Sequence, residues 1–195
     1  MSDTTLGWWF GTTDRRLGHG DGRPIVVGET HEVDPPLVLC ERGLHASKHV
    51  LDALKYARGE ILYRVCLAGK ITRGDDKMCA TRREYLAEID ATDMLWEFSR
   101  WSAAQVLHLW SAPQIVKDYL ATGDESLREA ASAAAWDAAR AAASAAARAA
   151  ASAAAWDAAR DTARDAARNA AWDAQRQKLD DLAEAAIARA RGGKE

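Results

Sequence analysis

In the first 123 residues, apolar positions come in short runs broken by glycine, proline and polar clusters. Trp8-Trp9-Phe10 predicts an early strand or core edge, and Gly18-His19-Gly20-Asp21-Gly22 a turn-rich loop. Pro24–Gly28 and Leu37–Cys40 read as short strands, the second following a break at Pro35-Pro36. Ser47 predicts the cap of a helix that carries Val50, Leu51, Leu54 and Tyr56 and stops before Gly59. Ile61–Leu67, rich in β-favouring side chains and framed by Gly59 and Gly69, is the strongest strand signal. Asp75-Asp76-Lys77 forms a polar turn. Thr81 and Glu84, at capping-box spacing, predict a short helix after it. Helices follow over Asp93–Trp110 and Pro113–Leu120, with Pro113 in a first turn.

Beyond Gly123 the pattern changes in kind. Residues 131–140 and 151–160 are identical, ASAAAWDAAR, and a four-residue beat runs through Ser132, Trp136, Arg140, Ser144, Arg148, Ser152, Trp156, Arg160, Arg164, Arg168, Trp172 and Arg176. Alanine is the best helix former, and no breaker interrupts the tract before Gly192-Gly193. Five Asp–Arg pairs at i,i+3, beginning with Asp137–Arg140, add a few tenths of a kcal/mol each. A four-residue step drifts by about 40° per repeat on a helix, so the tract lacks the fixed apolar seam of a heptad coiled coil. It offers small faces on which helices approach closely, with indoles as sparse anchors. Leu179, Leu182, Ala186 and Ile187 make a more conventional apolar patch near its end.

The fold class expected is α+β: a small mixed α/β head with a helical neck over residues 1–123, then a long, self-associating alanine-rich helix over 124–191. A flexible end covers 192–195. Composition supports the division, because both Phe, all four Tyr, all four Pro and all three Cys precede residue 124. The net charge of -3 is spread over both parts, which supplies no bulk basic surface for nonspecific nucleic-acid binding. No secretory signal or membrane-length apolar span is visible, and three unpatterned cysteines suit a reducing compartment. The expectation is therefore a cytoplasmic protein.

Candidate chemistry is sparse. Cys40, His45 and His49 supply ligand atoms, but without a CxxC pair or zinc spacing no metal site is expected, and no cofactor either. Asp75-Asp76 is too small a set for a divalent ion. The glycine turn at Gly43 puts Arg42 and His45 near a helix start, and Arg64 projects from the strong strand. Should these three share a cleft, they offer a proton carrier and two anion holders, as a nucleotide-dependent transferase requires. Turn formation and capping are the plainer role. In the tail, Trp136, Arg140, Arg148, Trp156, Arg160, Arg164, Arg168 and Trp172 are the expected partner-binding residues.

The stretch from Val27-Gly28 through Leu39-Cys40-Glu41-Arg42-Gly43-Leu44-His45-Ala46-Ser47, Asp52–Tyr56 and Gly69 to Gly74-Asp75-Asp76-Lys77 resembles a family of uncharacterised proteins found largely in phages and prophages. The Ala/Trp/Asp/Arg tail resembles extensions on some of them. The resemblance implies a phage-encoded interaction or assembly protein in the bacterial cytoplasm, one version being an inhibitor of a host defence complex. It implies no active-site residues. A nucleotide-dependent transferase and a structural spacer or virion accessory protein are the competing readings.

Overall fold

A computed structural model describes residues 4–18, 20–150 and 157–192, with backbone alone over 143–150 and 157–167. The chain forms two compact units, Met1–Leu95 with Gln175–Glu195 and the intervening Trp96–Ala174. The expected boundary at Gly123 falls inside the second of these.

The first unit is built on a long antiparallel hairpin, β4 (Ile61–Arg73) and β5 (Met78–Asp90), joined by the polar turn anticipated at Asp75–Lys77. β1 (Thr5–Gly11) pairs with the free edge of β4, placing Trp9 opposite Tyr63. Two three-residue strands, β2 (Thr30–Glu32) and β3 (Leu44–Ala46), share the other edge of β5. The sheet curls far enough for Trp8 and Ser47 to exchange two backbone hydrogen bonds, at 2.8 and 2.9 Å. Inside the curl lie Tyr63, Val65, Leu67, Leu44, Ala46, Met78, Ala80 and Tyr85, with Leu17 and Ile25 from the loop between β1 and β2. Gly69 sits at a register break in β4 with φ of 76°, where Lys70 N–H donates to Thr81 Oγ1 at 3.1 Å.

β5 corrects the helix expected from Thr81 and Glu84. From Arg83 onward every second residue is buried, Arg83, Tyr85, Ala87 and Ile89, while Glu84, Leu86 and Glu88 between them are less so, the period of a strand. The expected strands at Pro24–Gly28 and Leu37–Cys40 are corrected to turns: Val26, Val27 and Val38 remain exposed, and Cys40 takes a φ of 70°. Their backbone groups pair in isolated bridges, Arg16 with Pro24 and Val38 with Arg42, too short to make a ladder.

The helix α1 is short, Val50–Leu54, and Ser47 does not cap it. Its cap comes from the other end of the chain. Asp180 accepts the Val50 N–H and meets His49 Nδ1, both at 2.6 Å. Asp52, buried, is met by Lys55 at 2.9 Å and by Arg176 at 3.2 Å. Arg64 reaches Glu184 at 3.2 Å, and Arg191 donates to the Leu86 carbonyl at 2.9 Å. These contacts hold the final turns of the last helix against the outer side of the sheet, where Leu179, Leu182, Ala183 and Ile187 are buried. Their spacing of three, four and eight residues is one helical stripe.

In the second unit, the part of α2 (Thr92–Ala104) that follows Leu95 carries Phe98 and Trp101, stacked at 6.1 Å. Helix α3 (Gln114–Thr122) starts behind Pro113 and ends at Gly123, whose φ of 68° lets its N–H reach the Tyr119 carbonyl at 2.8 Å. Asp124 accepts from Ser126 N–H at 2.9 Å and opens a single tight turn that leads into α4 (Arg128–Ala150). Ala131 of α4 and Val116 of α3 are buried as the two helices pack. The last helix, α5, runs Asp157–Gly192 and is therefore divided between the units.

Candidate functional site

His45 and Arg64 have their polar groups committed to different partners, and Arg42 is exposed. His45 Nε2 accepts the Cys40 N–H at 3.0 Å, closing its own loop. The Arg64 guanidinium lies 4.4 Å over the Trp8 ring and is held by Glu184 of α5. Arg42 is exposed on the turn, in a backbone bridge to Val38. A turn clasp, a strand-to-helix strut and a surface cation thus stand where the transferase reading needs one cleft.

Cys40, His45 and Cys79 are neighbours at the sheet edge but do not converge on a metal site. Cys79 is buried and paired in register with His45, Cys40 is exposed, and Cys66 is half-buried. Burial pushes the Cys79 thiol up, away from thiolate chemistry, whereas Lys77 is pushed up by Cys40 and Tyr56 beside it. No group of three or more His, Cys, Asp or Glu among the described residues converges as a metal site. Among those residues no helix is long and apolar enough to cross a membrane.

One polar cluster in the core escaped the sequence reading. Arg83, only 2% exposed, donates to the Tyr85 hydroxyl through Nη2 at 2.8 Å and to the His45 carbonyl through Nη1 at 2.6 Å. Its guanidinium lies 4.1 Å over Trp9. A guanidinium only donates, so the Tyr85 oxygen accepts from it, and the same hydroxyl lies within hydrogen-bond distance of His31 Nδ1, 2.9 Å away. His31 completes the chain at the Pro24 carbonyl. Burial, then the nearby Arg23 and Arg83 cations, hold His31 below the ordinary histidine range. The cluster ties β2 through His31 and β3 through the His45 carbonyl to β5, so its evident work is cross-strand fastening.

The partner-binding residues divide by position. Trp156 lies outside the described residues, as do the side chains of Arg148, Arg160 and Arg164. Arg168 is exposed, Trp172 is partly so, and Arg176 is turned to the head by its bond to Asp52. Trp136 is the clear case: it is 66% exposed on α4, whereas Trp8 of the sheet is 2% exposed. Glu125, Arg128, Glu129, Ser132 and Ala133 frame an open hollow of about 540 Å³ beside it. Arg128 lies 4.9 Å over Trp96, which fixes one wall. Arg140 is 78% exposed and lies 4.0 Å from Asp137, a loose contact in water. An exposed indole next to a hollow with a charge of each sign nearby can anchor another protein surface.

No curated protein and no solved structure matches this chain. The family finding concerns the sheet-forming part: residues 22–97 match the model of a domain family of unknown function, DUF7666.

Proposed function

We propose that the protein is a phage-encoded interaction and assembly protein, in which the curled sheet is a folded base and the alanine-rich region engages a partner. The observation that carries this reading is Trp136, an indole left 66% exposed on a helix whose neighbouring positions are mostly alanine. Burying such a ring on a partner contributes about 1.5–3 kcal/mol or more, and alanine lets the partner come close. The phage origin, and its narrower form as an inhibitor of a host defence complex, rest on the sequence resemblance.

The test compares the full chain with Trp136→Ala by sedimentation and by capture from bacterial lysate. The reading expects a mass above the monomer or a retained host complex, lost in the variant. An unaltered mass and an unaltered set of captured proteins would refute it and favour a spacer. Cutting the chain at Gly123 is a poor substitute, because it also strips Leu179, Leu182 and Ile187 from the sheet.

A further inference from the structure

We infer that the occupant of the Trp136 face is a second copy of this chain, with the two α4 helices antiparallel about a two-fold axis at the level between residues 134 and 135. The inference rests on the interaction reading above and adds the partner and the register. At about 100° per residue, Glu129, Ser132, Ala133 and Arg140 all lie within about 60° of Trp136 around the helix. All five are exposed, whereas Ala131, on the opposite side, is buried.

The order of these residues is self-complementary. In the proposed register Glu129 of each copy meets Arg140 of the other, once at either end of the contact. Trp136 of each copy lies over Ala133 of the other, in the hollow bounded by Glu129 and Ser132. Ala133 has no side chain beyond Cβ, so the backbone can approach the ring. A parallel pair would instead set Glu129 against Glu129 and Arg140 against Arg140. Like charges directly opposed disfavour that arrangement, so the charge pattern selects the antiparallel one. The looseness of the Asp137–Arg140 contact leaves Arg140 able to reach across. A two-fold contact of this kind is closed, giving a dimer and not a filament.

The test uses the full chain and two charge reversals, Glu129→Arg and Arg140→Glu. Each variant alone places like charges at both ends, and its dimer dissociation constant is expected to rise about tenfold or more. Mixed in equal amounts, they restore opposite charges at both ends, and native mass spectrometry should find the heterodimer well above the twofold excess over each homodimer that random pairing gives. A variant weakened only through its own helix would not be rescued by mixing. Failure of the mixture to recover association overturns the pairing, as does a full chain that stays monomeric at the highest concentration reached. Should the full chain associate while neither reversal matters, this register falls and the broader reading stands. That reading has its own separate test in Trp136→Ala.

Discussion

The sheet unit and the Trp96–Ala174 unit use helix in opposite ways. The last turns of α5 bury Leu179, Leu182 and Ile187 and send Arg176, Asp180, Glu184 and Arg191 to named partners on the head. Helix α4, of similar composition, buries Ala131 and leaves Trp136, Asp137 and Arg140 in water. Alanine content sets the tendency to be helical, while the occasional large side chain decides what each stretch is for. Branched aliphatics on one stripe make α5 part of a core; an indole between opposite charges makes α4 a surface.

The contrast is broken most severely at Leu179, which is fully buried. Leu179→Ala is expected to destabilise the sheet unit by about 2–5 kcal/mol, read as lost amide protection in β4. Unchanged protection would show that α5 only decorates the sheet. Asp180→Ala removes the α1 cap and the His49 contact together, and a loss of about 1–3 kcal/mol is expected in urea. A smaller effect comes from pH. His31 is held neutral by burial, so the unfolded chain takes up its proton first as pH falls. The His31 contribution is fully present above about pH 6.5 and declines as pH drops towards the lower folded value. His31→Gln should flatten that part of the urea-midpoint profile, and an identical slope in the variant would refute the assignment. Trp136→Ala sits at the other extreme, with thermal stability within about 0.5 kcal/mol of the parent while association is lost. A large stability change there would mean that the ring is part of its own unit's core.

Much of this architecture was legible in local pattern. β1, the first half of β4, the turn at Asp75–Lys77 and the Pro113 start all follow from residues within a few positions of each feature, whereas β4 continues past the expected boundary at Gly69 to Arg73. What escaped depends on distant parts of the chain. β5 read as a helix from the Thr81/Glu84 spacing, and its strand alternation was masked by Arg83 on the inward face, where the Trp9, Tyr85 and His45 partners make a buried cation tolerable. β2 and β3 are three residues each and owe their form to the edge of β5. The α1 cap is invisible locally, since Asp180 follows Val50 by 130 positions. Trp136 and Arg140 of α4 stood out by residue type against an alanine background, not by any one apolar face. The Arg42, His45 and Arg64 grouping was not legible, since proximity in sequence says nothing of where each head group is tethered.

The capping of α1 by Asp180 orders events on the ribosome. All five strands have been translated before the intervening unit begins, yet α1 waits for its carboxylate until synthesis has passed residue 180. The nascent protein accordingly spends the time needed to make Trp96–Ala174 with Arg64 lacking Glu184 and Asp52 lacking Arg176. Lengthening or shortening the repeat alters that delay.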